Sequence, residues 1–594
     1  MILQALVKEY DALVARDEKL ARDGWSKADV SGALTIDASG NLVGYMPLQK
    51  EVERGKKTVE VPWKMNVPQQ IKKASNIASN FLCEGISYLL GIDVRGNSER
   101  TARCFAACKD LHLKILKDVD APAARAVCAF FENWDPQAAL DHPVLQPQLN
   151  MLLKKTPNLV FRFEGHFVQD IPEIAQAWDD YRQRTKTGEQ GVCLVTGRHA
   201  VIARLHPSIK GVRGAQTMGA SLVSFNAPAF ESYGKEHGQG LNAPVSEEAA
   251  FAYGTALNQL LADGEHRMLL GDTTVVYWAE NAEPSYQDLF SMAMNADAGP
   301  DFTENDLVAA MQALAHGRPY DLSDVTLRPD TDFYILGLSP NAARLSVRFF
   351  YHNTFGAFMQ NLDRHYDRLQ IVRPAFDTRT YLSVGSLLFE TVNKKAKEKS
   401  ASPVLAGALM RAILNDTRYP AALLDGVLLR IRADHDINRV RAAIVKAVLL
   451  KQHEAGPSAP IKEVLTVQLN DQTNYQPYVL GRIFAYLEDI QTAANPNLNA
   501  TVKDRYFSSA SATPESVFPI LWRLKENHIK VLKRDKPGLA TNLEQGLGNL
   551  MGRIDQSLPK HLNLEDQGVF ILGYYHQQQA FYAGKKTDKP EGEG

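Results

Sequence analysis

Only five cysteines, Cys83, Cys104, Cys108, Cys128 and Cys193, occur in 594 residues. That sparse, odd set is unlike the dense framework of a disulfide-stapled secreted domain and points to reduced thiols in a cytoplasm. Net charge is equally scarce. Lys and Arg number 66 against 68 Asp and Glu, for a formal charge of -2, which excludes a chain-wide cationic nucleic-acid binder and leaves only local basic patches. No stretch approaches the roughly 18 uninterrupted apolar residues of a membrane-spanning helix. The opening Met1 to Tyr10 lacks a basic leader, and Lys8 and Glu9 interrupt its apolar residues, so it reads as an amphipathic helix and not as a signal peptide.

Catalytic motifs are also missing. Gly55-Lys56-Lys57-Thr58 and Gly584-Lys585-Lys586-Thr587 carry Lys where a phosphate-binding loop needs a hydroxyl after Gly-Lys, and both lack the upstream glycine. Neither His-Glu-x-x-His nor Gly-x-Ser-x-Gly occurs. Cys104 and Cys108 stand at i and i+4 of a predicted helix without two further ligands at short spacing, and read as buried structural thiols. His435-Asp436 is the adjacent-ligand dipeptide of metal-dependent phosphohydrolases, but a lone pair supplies too few ligands for a catalytic metal, and a solvated loop is the alternative. No cofactor is expected.

The composition, 45% hydrophobic and 23% charged, is that of a folded globular chain of two to about four domains. Periodicity predicts a helix over 1–22, a hairpin of 33–37 with 41–45, and a charged loop from Lys50 to Lys73 feeding a helix to about Leu90. Helices follow over 97–155. Strands are predicted at 158–165, within 191–205 around the turn 196–199, and at 222–225, 273–278 and 334–338, with a helix over 246–261. Helical spacing covers 342–369 and nearly everything beyond 380. The expected class is α+β, a mixed α/β N-terminal portion followed by a helical C-terminal bundle. Its expected parts are 1–380, a helical connecting region 381–460, and a bundle 461–594 able to fold on its own.

The densest chemistry lies between His206 and Lys235. Gly211, Gly214 and Gly219 alternate there with Lys210, Arg213 and Gln216, a pattern that suits a polyanion. Lys210, Arg213 and Lys235 can neutralise phosphates, Gln216 and Asn226 can address base edges, and Phe225 or Tyr233 can pack on sugar or base. A solvated turn leading into a core strand, with buried aromatics, accounts for the same composition. Two lysine pairs, Lys56 with Lys57 and Lys72 with Lys73, can track a phosphate backbone or simply form a solvated face.

Gly219-Ala220-Ser221-Leu222-Val223-Ser224-Phe225-Asn226 and Ser232-Tyr233-Gly234 resemble the signature of the large subunit of the type I-C CRISPR Cascade surveillance complex. The likeness continues through Thr274 to Trp278, Leu338 to Phe349 and Gly568 to Gln577, in order along almost the whole chain. The resemblance implies a cytoplasmic, non-enzymatic subunit that recognises a protospacer-adjacent motif in duplex DNA and promotes local unwinding and R-loop formation, while guide pairing reads sequence. The implied partners are the backbone and guide-processing subunits, small subunits, CRISPR RNA, target double-stranded DNA and a separate helicase-nuclease, with no membrane. By the same resemblance, 461–594 is similar to the small subunit, of which a separate copy commonly arises by internal translation initiation. Arg523, Lys530, Lys533 and Arg534 would then face a displaced DNA strand. The alternatives are a metal-dependent nuclease using His435 and Asp436, and a purely structural helical scaffold.

Overall fold

The first long turn shows how local chemistry starts the fold. Asp37 Oδ1 accepts the backbone N–H groups of Ser39 and Asn41, each at 2.9 Å, and joins the strands Trp25–Ile36 and Leu42–Pro47 into the expected antiparallel hairpin. The computed structural model describes residues 1–594 except 17–21, 55–56, 72–76, 95–98, 186, 236–237, 265–266, 281–282, 296–303, 323, 398, 400, 457–458, 556 and 588–594. With 52% helix and 17% strand, sheets in the N-terminal half and a helical C-terminal region, the class is α+β.

The chain divides into two units: Met1–Pro207 with Val223–Leu257, and Ser208–Leu222 with Asn258–Gly594. The first is built on a seven-stranded sheet whose centre pairs Trp25–Ile36 in parallel with Asn158–Phe163. Helices Glu99–Leu116, Pro122–Asn133 and Pro172–Thr185 cover it and bury an aromatic core that includes Phe81, Phe130, Phe131, Phe161 and Trp178. His112 lies within that core. It donates from Nδ1 to Cys108 O at 2.7 Å and accepts at Nε2 from Leu82 N–H at 2.9 Å, so its hydrogen bonds fix a neutral tautomer.

One expected loop is a correction. Gln49–Arg54 and Lys57–Pro68 form an antiparallel ribbon instead of a charged loop, and among the described residues of the stretch expected to run to Leu90 only Ile86–Leu89 is helical. Val52 is paired with Val59 in the register. In the sequence Val59, Val61, Trp63, Met65 and Val67 alternate through Lys57–Pro68, a period-two signal obscured by the neighbouring Lys and Glu residues.

The second unit carries a six-stranded sheet, ordered Ser208–Ile209, Ala220–Ser221, Arg344–Thr354, Asp332–Asn341, Thr273–Ala279 and Arg267–Leu270. Thr273–Ala279 is buried at every position, as a central strand must be. Two further expectations fail here. Arg344–Thr354 is a strand, with the helix starting only at Phe355, and pairing ends at Ser221 so that Leu222 to Phe225 is not a strand.

Helices from Phe355 onward form one bundle with a core running without interruption from Leu270 to Tyr575. Contacts link residues on either side of the divisions expected at 380 and 460. Gly568 sits against Val445 and Leu449, the Tyr575 hydroxyl donates to Val372 O at 2.8 Å, and Gln452 donates to Glu565 at 2.7 Å. Helices Gln476–Ala494 and Leu564–Thr587 cross at backbone contact, because a Cβ at Gly481 would stand 2.0 Å from Phe570 O and one at Gly573 2.1 Å from Tyr478 O. Among the described residues, no helix is long and apolar enough to cross a membrane.

Candidate nucleic-acid interface

In the second unit, Ser208–Ile209 and Ala220–Ser221 pair into a short hairpin at the sheet edge, joined to the main sheet where Ser221 pairs with Arg344. Ile209 and Val212 are buried and anchor it. Asn258 ties its base, accepting Lys210 N–H at 2.7 Å and donating to Ser208 O at 3.1 Å, while Thr274 Oγ1 accepts Arg213 N–H at 3.1 Å. Gly219 N–H bonds back to Gln216 O at 2.9 Å. Gly219 has φ +96°, and a Cβ there would stand 2.9 Å from Ser208 Cβ and 3.0 Å from Ile209 O, so the turn demands glycine. The backbone is held while the side chains of Lys210, Arg213 and Gln216 are exposed. The structure thus brings these three predicted residues onto one hairpin.

Asn226 and Lys235 belong to the other unit, where both are exposed. Their segment is irregular and organised by Asn242, whose Oδ1 accepts Ser232 N–H at 2.9 Å and whose Nδ2 donates to Lys235 O at 3.3 Å and Gln239 O at 3.1 Å. Phe225 is half-buried, whereas Tyr233 is 99% exposed and holds a left-handed φ of 58°. A bulky residue in that conformation is uncommon. Of the two expected aromatics, Tyr233 is the one free to stack. His206 at the start of the motif is no phosphate cation: it shares a 2.7 Å hydrogen bond with the Tyr253 hydroxyl, and burial pushes its pKa down to about 4.

The remaining predicted residues separate. Lys56, Lys72 and Lys73 lie outside the described residues, and Lys57 begins the second strand of the Gln49–Arg54/Lys57–Pro68 ribbon. That ribbon pairs Glu51 with Glu60, a like-charge pair that weakens an isolated hairpin. On helix Pro514–Asp535, Arg523 and Lys530 are exposed two turns apart on one face. Lys533 and Arg534 are already engaged, by Glu544 and Asp535, each at 2.7 Å, so the basic face is smaller than its sequence suggests.

His435 and Asp436 occupy the turn after helix Ala421–Asp434. His435 is its left-handed C-cap with φ 52°, and Asp436 accepts Asn438 Nδ2 at 3.1 Å. The turn is fixed by fully buried Arg441, which donates to Glu390 and Asp434 at 2.7 Å each and to Asp436 O at 2.8 Å. Among the described residues, no group of three or more His, Cys, Asp or Glu side chains is arranged to hold a metal.

The sequence reading missed the residues that position the hairpin and the Tyr233 segment. Asn258 and Thr274 stand 48 and 61 residues from their partners, and nothing in local spacing signals such contacts. Asn242 lies closer, within the loop it ties.

Residues 6–582 match the family model described as CRISPR-associated protein (Cas_Csd1). No curated protein matches the chain. A match over nearly the whole chain carries more weight than any one loop, and this chain belongs to the Cas_Csd1 family of CRISPR-associated proteins.

Proposed function

We propose that the chain is the large subunit of a type I-C Cascade complex, a non-catalytic protein that recognises the protospacer-adjacent motif in duplex DNA and promotes opening of the duplex beside it. The observation that carries this reading is the glycine-locked hairpin, which presents Lys210, Arg213 and Gln216 from a backbone tied by Asn258 and Thr274. Two cations set the protein on the phosphate backbone, and an amide reaches a base edge. On the first unit, Asn226, Tyr233 and Lys235 form a separate candidate set: an amide for an edge, an exposed ring for stacking and a cation. The chain works in the cytoplasm with backbone, guide-processing and small subunits and with CRISPR RNA, and a separate helicase-nuclease cuts the DNA.

Binding of the assembled complex to duplexes with and without the adjacent motif tests the proposal. Motif-dependent binding by a complex whose large subunit leaves DNA intact in magnesium is the expected result. Magnesium-dependent cleavage by the isolated chain, abolished by His435→Ala, would replace this reading with the nuclease; motif-independent binding that ignores Lys210 and Arg213 would replace it with a scaffold.

A further inference from the structure

A cleft of about 1110 Å³ lies wholly within the helical part of the second unit. Its walls come from the loop 372–379, the end of helix Val384–Phe389, the turn 436–440, Glu488 of helix Gln476–Ala494, Lys503 of helix Val502–Ala512 and the C-terminal half of helix Leu564–Thr587. Three of its rings are left to solvent: Phe376 is 87% exposed, Phe389 43% and Tyr582 59%. Aromatic rings lining one cleft and left exposed are unfavourable in water and suit a flat partner.

The charges show which kind of partner. Asp377 is bound by Arg379 at 2.8 Å and Arg439 at 3.2 Å. Glu390 is bound by Arg441 and Lys394, and Glu488 accepts from Thr501, Tyr574 and Gln578. These acids are satisfied internally. Arg373 donates only to the backbone carbonyls of Thr378 and Arg379, and neither it nor Lys503 has an acidic partner among the described residues, so cations remain at the cleft. Asp436 and Asn438 bond each other at 3.1 Å and, with Gln579, line it with donors and acceptors. The buried Arg439 keeps its Nε without a partner.

Flat aromatic surfaces, a hydrogen-bonding edge that includes the Asp436 carboxylate, and two cations without acidic partners among the described residues, Arg373 and Lys503, are together complementary to a nucleotide whose base is not already stacked in a duplex. We infer that this cleft binds an unpaired nucleotide of a single strand, its base packed on Phe376 and Tyr582, its edge met by Asp436 and Asn438, and its phosphates held by Arg373 and Lys503. The turn Asp436 to Asn438, rigidified by buried Arg441, then serves as a base-edge acceptor and not as a metal ligand. This inference does not depend on the duplex-reading proposal, and duplex binding serves as its control.

The test uses the full chain and single strands of about 12 nucleotides, within the span of one single-strand site, carrying 4-thiothymidine in a DNA arm and 4-thiouridine in an RNA arm. After near-ultraviolet irradiation, mass spectrometry should locate cross-links on peptides containing Phe376, Phe389 or Tyr582. Phe376→Ala should weaken single-strand binding about tenfold, Phe376→Trp should retain it, Lys503→Glu should weaken it, and duplex binding should be unchanged. Binding in either arm supports the site, and the tighter arm names the source of the strand. Cross-links confined to other segments, or wild-type single-strand affinity in both Phe376→Ala and Lys503→Glu, would overturn it, as would occupancy of the cleft by a peptide in place of either strand. Because Phe376 is almost wholly exposed, its replacement leaves the core intact.

Discussion

Gly219→Ala isolates the contribution of hairpin geometry. The new side chain would have to adopt φ +96°, a conformation costing roughly 1–3 kcal/mol for a residue other than glycine. Its Cβ would also stand 2.9 Å from Ser208 Cβ and 3.0 Å from Ile209 O, and overpacking of this kind costs a further 1–3 kcal/mol or so. A hairpin held by two residue pairs has little with which to oppose several kcal/mol, so it rearranges and Lys210, Arg213 and Gln216 lose their positions. The unit's core lies elsewhere, in the bundle and the central strands. Duplex affinity of the reconstituted complex should therefore fall as if both cations were lost, while the melting temperature of the chain moves by only a few degrees or so. Gly197→Ala is the matched control, since Gly197 has φ +72° but nothing within 4 Å of its would-be Cβ; it carries the conformational cost without the collision and should bind normally. A Gly219→Ala complex with wild-type affinity and salt dependence would refute the reasoning.

Other expected outcomes concern stability. Gly573→Ala drives a Cβ to 2.1 Å from Tyr478 O, and the gain of about 1 kcal/mol in helix propensity cannot offset separation of the two helices, so a loss of about 3 kcal/mol is expected; an unchanged urea midpoint contradicts the close crossing. Burial holds His112 at a pKa of about 4 and His365 and His576 at about 3, against an ordinary 6.5. The unfolded chain takes up protons that the folded chain refuses, so stability is full above about pH 6.5 and falls with acid, by about 2 kcal/mol per histidine at pH 5. A flat urea midpoint between pH 7 and pH 5 would contradict those burials. A fragment of residues 461–594 should be poorly folded by circular dichroism, because it lacks Val445 and Leu449 against Gly568 and the Val372 carbonyl that accepts Tyr575; a cooperative, native-like melt would show that the shared core is dispensable.

The legible elements were those whose burial repeats at one period. Thr273–Ala279 is a continuous buried strand, the Asp37 turn carries its own cap, and the helices beyond 380 are long and apolar enough that Arg439–His453 and Gln476–Ala494 are buried over most of their length. The ribbon Gln49–Arg54/Lys57–Pro68 was missed because the Lys and Glu content of 50–60 outweighed the period-two alternation of Val59, Val61, Trp63, Met65 and Val67. Arg344–Thr354 was missed because its pairing skips Arg348, with Val347 opposite Leu338 and Phe349 opposite Gly337, and because a mixed burial pattern blurs the period of two. Of the candidate interface, Lys210, Arg213 and Gln216 were legible from glycine spacing. The division of the chain between Leu222 and Val223 was not, because both sides of it read as one motif. The cleft around Phe376 was invisible, since it is assembled from segments up to about two hundred residues apart and each looks locally like a polar loop or a helix end.

The most direct test of the central claim is a salt series of duplex binding by the complex, comparing wild type with Lys210→Ala, Arg213→Ala and Gln216→Ala. If the hairpin reads DNA, each lost cation weakens binding across all sequences and reduces the log–log salt slope by about one unit. Losing the amide costs about 1–3 kcal/mol and relaxes discrimination for the adjacent motif. Slopes and discrimination identical to wild type in all three variants would contradict the claim that this hairpin touches DNA.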